Sequence, residues 1–217
     1  TTGPGVDPYG GFPIVAPGGG AYSFKLGNDI NGAQAERARY NVAIPTGGIY
    51  SLIYRYAVVL NDPGHSAPDQ PRMVVSAIDS NTGASVACAQ YLYVASGSIP
   101  GFLTSSLTGY GSPVRYKPWT MGNMKFPGLG GHTATVDFTT ADCAPTGHFG
   151  YGYLDMTCGL FANQILGCAS GTTVLAGPDG YASYNWVDSI TYGTSVGTSQ
   201  VVVITAPTVT TTYAVLL

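Results

Sequence analysis

Residues 148–155 read His148-Phe149-Gly150-Tyr151-Gly152-Tyr153-Leu154-Asp155. Aromatic rings occupy every second position from Phe149 to Tyr153, and successive side chains of an extended strand point to opposite faces. The rings therefore share one face of a strand. Gly150 and Gly152 share the other face, where a second sheet can approach closely. This alternation predicts a strand from the middle of a β-sandwich.

The composition of the whole chain favours the same class. Of its 217 residues, 45% are hydrophobic and only 9% are charged, against roughly 25% charged residues in ordinary soluble domains. Strong helix formers are scarce, with Glu36 as the only glutamate, whereas β-branched, aromatic and turn residues abound. We therefore predict an all-β protein.

The charge pattern argues against two classes of partner. The formal net charge is −3, and no cluster of Lys and Arg interleaves with aromatic residues, so nothing predicts nucleic-acid binding. No apolar run approaches the roughly 18 residues that a membrane-spanning helix requires, so we predict no membrane span in this chain.

Runs typical of strands, separated by Gly, Pro and Asn turns, divide the chain into two parts. After an irregular lead-in with one short strand at 12–15, the first part contains predicted strands at 21–26, 36–44, 49–60, 73–79, 85–93, 114–119, 132–139 and 148–155. Such a series fits a two-sheet jelly roll over residues 1–158. The second part, residues 159–217, contains predicted strands at 172–176, 182–187, 199–206 and 211–217.

The second part is expected to form a small immunoglobulin-like sandwich. Trp186 lies on its second predicted strand, where immunoglobulin domains place a buried core tryptophan. We place the domain boundary near 159–167, because the strand candidates that follow it carry little charge.

The chain has four cysteines, and none of them forms a Cys-x-x-Cys pair, which argues against a zinc ribbon or a redox motif. Among the three possible pairings of two disulfides we favour Cys88–Cys143 with Cys158–Cys168, the second as a clip across the domain junction. Disulfides imply an oxidising compartment outside the cytoplasm.

The most polar segment of the chain lies at residues 61–72. Asp62, His65, Asp69 and Arg72 are candidates for a sugar or metal site on one loop. The sequence Asp62-Pro63-Gly64 is also an ordinary turn sequence. The alternative interpretation is therefore a buried ion pair that pins the loop.

Two further groups of residues are candidates for ligand contacts. Trp119 and Tyr151 can act as stacking platforms, because a pyranose ring has an apolar CH face, although such rings also fill sandwich cores. Asp155 ends the aromatic strand, and with Asp7 of the lead-in it is a candidate for a structural calcium site built from carboxylates and backbone carbonyls.

The sequence offers little for catalysis. Glycoside hydrolysis needs two carboxylates that face each other across a sugar, but Glu36 is the only glutamate and the aspartates are scattered. A serine hydrolase places its nucleophile between a strand and a helix, and the serines at 96–98 and beside Gly109 have no such setting. The three histidines do not fall at helical metal-ligand spacing. We predict that the chain is not an enzyme.

Several stretches resemble a known module. The segment 56–72, Lys117-Pro118-Trp119 and the segment 142–155 resemble a jelly-roll module of very large surface proteins of gliding bacteria that use type IX secretion, the SprB-like gliding-motility adhesins. The segments 180–186 and 212–215 resemble the Ig-like or PKD-like repeats that accompany that module. The jelly roll is also similar to carbohydrate-binding modules, whose last strand often ends in a calcium-binding Asp, the position that Asp155 matches.

The resemblance implies adhesion, modular stalk architecture and location at the cell surface. We therefore expect a non-catalytic fragment of a secreted bacterial adhesin involved in attachment or gliding. Its expected partners are a surface glycan or polysaccharide and neighbouring repeats of the same long chain. Two alternatives remain open: a carbohydrate-binding module of a secreted polysaccharide-degrading protein, and a purely structural stalk repeat.

Overall fold

The fold was analysed in a computed structural model. It describes residues 1–47, 50–87, 89–96, 99, 101–160, 164–169, 171–177 and 183–216, and for 157–160 and 164–169 only the course of the backbone is described. The protein is all-β, as the composition predicts. Within the described part, no helix has the length and apolarity that a membrane crossing requires.

Nine strands of the first part form two antiparallel sheets. The five-stranded sheet has the order β1-β9-β3-β7-β6 and the four-stranded sheet has the order β2-β8-β4-β5. The strands are β1 Phe24–Leu26, β2 Ala35–Ala43, β3 Tyr50–Asn61, β4 Arg72–Asp79, β5 Tyr91–Val94, β6 Leu103–Gly109, β7 Ser112–Phe126, β8 Thr133–Ala141 and β9 Gly150–Leu160.

This strand order is that of a jelly roll. The chain crosses from one sheet to the other between β1 and β2, β2 and β3, β3 and β4, β5 and β6, β7 and β8, and β8 and β9. Without β6, which forms a hairpin with β7 at one edge, each sheet has four strands, as two interlocked Greek keys require. The predicted jelly-roll sandwich is therefore confirmed.

Strand β9 carries the alternation that the sequence predicts. It lies between β1 and β3, with Gly152 opposite Leu26 on one side and Val58 on the other. A Cβ atom on Gly152 would lie 3.3 Å from the Met73 sulfur on the opposite sheet. The glycines of β9 thus face the second sheet and permit its close approach, as predicted.

The aromatic face of β9 packs on the outer side of the five-stranded sheet. Phe149, Tyr151 and Tyr153 form one buried cluster with Phe12, and the Phe12 and Tyr153 rings meet edge to face at 5.7 Å. The irregular lead-in therefore covers this face. The strand expected at 12–15 is wrong: this segment forms only an isolated bridge between Val6 and Pro13, because a proline has no N–H to donate to a ladder.

The main core lies between the two sheets. Its members are apolar side chains that alternate along β3, β4 and β8 with residues of the other face, and they include Leu52, Val58, Leu60, Met73, Val75, Val136 and Phe138. The five-stranded sheet is thus buried on both faces, which explains why β3 is apolar at almost every position.

The second part contains two three-stranded antiparallel sheets. Their orders are β10-β11-β14 and β13-β12-β15. The strands are β10 Gln164–Ala169, β11 Thr172–Ala176, β12 Asn185–Asp188, β13 Ser195–Gly197, β14 Val201–Thr205 and β15 Tyr213–Leu216.

This arrangement matches strands A-B-E and C′-C-F of an immunoglobulin-like sandwich. Trp186 on β12 is 1% exposed and packs with Leu175 and Val202. Its indole Nε1 donates to the Ser199 carbonyl at 3.0 Å. The tryptophan thus fills the core between the two sheets, as predicted.

Candidate functional site

The polar loop between β3 and β4 is held by a partly buried ion pair. The Asp62 carboxylate is 8% exposed and accepts hydrogen bonds from Gln70 Nε2 at 3.0 Å and from Arg115 Nε at 3.2 Å. The ion pair that the sequence offers as an alternative is therefore present, and Arg115 of β7 is its partner. Arg72 instead donates to the Pro68 carbonyl within the loop.

His65 of the same loop lies against the segment that precedes β9. The rings of His65 and His148 are 5.4 Å apart, and the Cys143 sulfur lies 3.4 Å from His148 Nδ1. One potential ligand atom from each of the three residues lies within 4.8 Å of the other two. The fold thus gathers two histidines and a cysteine from two loops, a cluster that sequence spacing alone does not reveal.

Burial favours the uncharged forms of two members of this cluster, Cys143 and His148. Burial raises the pKa of the Cys143 thiol, and burial together with the neighbouring His65 lowers the pKa of His148. A neutral imidazole has one free nitrogen lone pair, which can accept a hydrogen bond or bind a metal ion.

The structure does not show the predicted disulfide of Cys143. Cys143 is a buried free thiol, and its sulfur contacts His148. Its expected partner Cys88 lies outside the described residues. The side chains of Cys158 and Cys168 also lie outside them, so the second disulfide stays a prediction.

The two predicted stacking platforms lie on the covered face of the five-stranded sheet. Tyr151 is 0% exposed, so it cannot stack on a saccharide, and this prediction is wrong. Trp119 is partly covered, since its Nε1 donates to the Pro13 carbonyl at 2.6 Å. It also borders a shallow cleft of about 300 Å³ with Pro17 and Arg55.

The two predicted calcium ligands have separate partners. Asp7 is buried, and its Oδ2 accepts hydrogen bonds from the hydroxyls of Tyr151 at 2.7 Å and Tyr153 at 3.0 Å. Its Oδ1 accepts from the backbone N–H groups of Tyr9 and Gly10. Asp155 accepts from the Gly20 N–H at 2.9 Å. Asp7 thus anchors the lead-in to β9 through these hydrogen bonds. The calcium site stays a prediction.

A groove opens at the edge of the sandwich where β1 and β2 diverge into different sheets. Its volume is about 770 Å³, within the size range of small-molecule sites. The lining aromatic rings belong to Tyr22, Phe24, Tyr40 and Tyr50, and the lining polar side chains belong to Thr1, Ser23, Asn41 and Asp155. Tyr22 is 70% exposed and Phe24 is 51% exposed, so both rings are accessible to a ligand.

Sequence reasoning missed this edge groove. Tyr22 and Phe24 alternate along the first predicted strand, which indicates a shared face, but the sequence does not show that this face lies beside β2 at an open edge. This alternation of Tyr22 and Phe24 was the one feature of the sequence that pointed to a shared aromatic face. The position of Asp155 follows only from the pairing of β1 with β9, which sets Phe24 opposite Leu154, the neighbour of Asp155.

One further stretch of the sequence has the residue spacing of a catalytic motif. Residues 193–197 read Gly193-Thr194-Ser195-Val196-Gly197, the spacing of a nucleophile elbow. Such an elbow needs a sharp strand-to-helix turn. Ser195 instead begins the short strand β13, and its hydroxyl donates to the Gly197 carbonyl at 3.4 Å.

Comparison of the chain with protein-family models, with curated proteins and with solved structures finds no match.

Proposed function

We propose that this chain is a non-catalytic binding part of a secreted bacterial surface adhesin and that it holds a surface saccharide in the edge groove between β1 and β2. The observation that carries the proposal is the pair of exposed rings, Tyr22 and Phe24, in a groove that also contains Asn41 and Asp155. The rings suit the apolar CH faces of sugars, and the amide and carboxylate suit their hydroxyls.

Charge also supports a neutral, hydroxyl-rich ligand. Among the described residues, Asp155 is the only charged side chain that lines the groove, so the lining side chains offer no attraction to phosphate or sulfate groups. Asp155 accepts hydrogen bonds when ionised, and its Oδ2 already holds the Gly20 N–H. This contact fixes the position of the carboxylate beside the groove.

A structural stalk repeat without a ligand is the second candidate. The burial of Tyr151, which removes one of the two expected stacking platforms, favours it. The carbohydrate-binding module of a degradative protein makes the same prediction for the groove as the adhesin does. Only the domains that accompany this chain distinguish those two.

A glycan array tests the proposal. The wild-type chain is compared with Tyr22→Ala, Phe24→Ala and a control, Tyr192→Ala, which removes a 60% exposed ring in the second part. We expect binding to a defined saccharide and a two- to tenfold loss in each groove variant, since an aromatic contact is worth about 0.5–1.5 kcal/mol. The control should bind like the wild type.

The same array separates the candidates. Binding that is equal in all four proteins places the saccharide elsewhere and rejects the groove. Absence of binding on the array and in polysaccharide pull-down favours the stalk repeat. Parallel arrays in calcium and in EDTA test the predicted calcium site, because a structural calcium ion makes binding or stability depend on calcium.

A further inference from the structure

His65, Cys143 and His148 have the donor set and the spacing of a transition-metal site. For zinc–nitrogen and zinc–sulfur bonds at tetrahedral angles, the sulfur and nitrogen ligands lie about 3.5 Å apart. The distance from Cys143 Sγ to His148 Nδ1 is already 3.4 Å. With the His65 nitrogen within 4.8 Å of both, small side-chain rotations complete a three-ligand set.

Two independent observations support a role of the two histidines as metal ligands. The Nε2 atom of His65 is buried and has no hydrogen-bond partner among the described residues, and an unpaired buried polar atom is costly. His148 Nε2 lies 3.3 Å from the Ser112 hydroxyl, which orients the ring with Nδ1 toward Cys143. Metal-binding histidines almost always have such an outer partner on the second ring nitrogen.

The donor types select the class of ion. A thiolate and two imidazoles suit zinc and similar thiophilic ions, whereas calcium takes oxygen ligands. The two carboxylates that act electrostatically on Cys143 already have hydrogen-bond partners, because Asp142 accepts from the Gly150 and Gln34 N–H groups and Asp69 accepts from the Ser66 hydroxyl. Three protein ligands leave the fourth tetrahedral position for water.

We propose that His65, Cys143 and His148 bind one zinc ion that joins the β3–β4 loop to the β8–β9 loop. On binding, the sulfur–zinc bond replaces the S–H bond of Cys143 and the proton passes to the buffer. The ion links two loops that are distant in sequence, next to the Asp62–Arg115 pair. This site lies apart from the edge groove, so the inference is independent of the proposed saccharide ligand.

Titration with Co²⁺, a spectroscopic substitute for zinc, tests the inference on the whole chain under reducing conditions. We expect one equivalent to bind with a thiolate charge-transfer band, Zn²⁺ to displace it, and Zn²⁺ to raise the melting temperature. Cys143→Ser should abolish the band, and His65→Gln should weaken binding at least tenfold. His132→Gln is the matched control, because His132 pairs with Asp79 outside the cluster.

Three results would overturn the inference. The first is a chain, folded by circular dichroism, that gives no band with excess Co²⁺. The second is a ligand variant that behaves like the wild type. This means a band of unchanged intensity in Cys143→Ser, which would assign the metal to other thiols, or unchanged affinity in His65→Gln. The third is a Cys88–Cys143 disulfide in the native chain, detected by thiol counting and mass spectrometry, because a disulfide sulfur cannot supply the thiolate.

Discussion

Single buried carboxylates fasten irregular segments to the sandwich. Asp7 accepts two hydrogen bonds from N–H groups of its own lead-in and two from the hydroxyls of the buried tyrosines of β9, and the latter two join the lead-in to that strand. Asp62 joins the β3–β4 loop to β7 through Arg115. In both cases a charged side chain is buried with its hydrogen-bonding capacity largely satisfied, which is the condition under which burial is tolerated.

Replacement of Asp7 by Ala tests whether this carboxylate anchors the lead-in to β9. The change leaves the hydroxyls of Tyr151 and Tyr153 buried without their acceptor, and each such group costs about 1–3 kcal/mol. We expect the free energy of unfolding of the first part to fall by about 2–4 kcal/mol in urea titrations.

The matched control is Asp29→Ala, because the Asp29 side chain is exposed and such surface changes usually stay within about 0.5 kcal/mol. Equal stability of Asp7→Ala and Asp29→Ala would show that the lead-in is not fastened by this carboxylate.

The sequence indicated which single residues are structurally important, but it did not indicate which distant residues contact them. The Asp62 turn and its ion pair were predictable from local chemistry, but Arg115 lies 53 positions along the chain and only the β3–β7 pairing brings it near. The Cys143–His148 contact follows from a short loop, whereas His65 joins it through the tertiary fold. Burial of Tyr151 was not predictable, because alternation defines a face but not what covers it.

At the scale of elements, the glycines of β9 set the distance between the two sheets. A Cβ atom on Gly150 would lie 2.7 Å from the Ala141 carbonyl oxygen, closer than real Cβ contacts allow. The obstacle is backbone, which cannot rotate away as a flexible side chain can.

We therefore predict that Gly150→Ala destabilises the chain by about 1–3 kcal/mol, the usual cost of overpacking, measured by urea unfolding. Gly20→Ala is the control, since its Cβ would meet nothing closer than 4.0 Å and loss of a flexible glycine tends to stabilise a protein. Wild-type stability of Gly150→Ala would mean that the sheets separate more easily than this packing implies.

Strand prediction succeeded where a strand has one buried face or is wholly apolar. Strands β2, β3, β8 and β11 agree with their predicted ranges within two residues at each end. Strand β6 was missed because it is an exposed edge rich in Ser and Thr, with no apolar alternation to detect. Strand β7 extends to Phe126, past the Pro118 that suggested an earlier end.

At the scale of the whole molecule, the chain has two tryptophans and each reports on a different part. Trp119 packs against Tyr153 of the jelly roll, and Trp186 fills the core of the second part. No described sheet mixes strands from before and after residue 161. The division into two domains, 1–158 and 159–217, stays a prediction that these two reporters can test.

We predict two separate unfolding transitions. In Trp119→Phe the remaining fluorescence reports on the second part, and in Trp186→Phe it reports on the jelly roll. Urea midpoints from the two variants should differ, with the smaller part unfolding first, because small domains bury a smaller fraction of their surface. Coincident midpoints in both variants and in circular dichroism would instead indicate one cooperative unit.

Alkaline pH should destabilise the fold. Burial raises the pKa of Tyr54, Tyr56, Tyr151 and Tyr153 above the ordinary value of about 10. Below that value the tyrosines are neutral in both states and this contribution is fully present. As the pH rises above about 10, the unfolded chain loses protons that the folded chain keeps, so stability falls.

Urea midpoints between about pH 8 and pH 11, read together with tyrosinate absorbance, measure this effect. We expect these four tyrosines to ionise only as the chain unfolds. Full ionisation of all tyrosines near pH 10 with unchanged circular dichroism would contradict their burial.

Saccharide binding in the edge groove is the central functional claim, and amide chemical-shift mapping with the strongest array ligand tests it most directly. We predict saturable shifts at Tyr22, Phe24 and Asn41 and around Asp155, with residues near His65 and Trp186 unchanged. Shifts confined to any other surface, or none at saccharide concentrations that saturate the array signal, would contradict the claim.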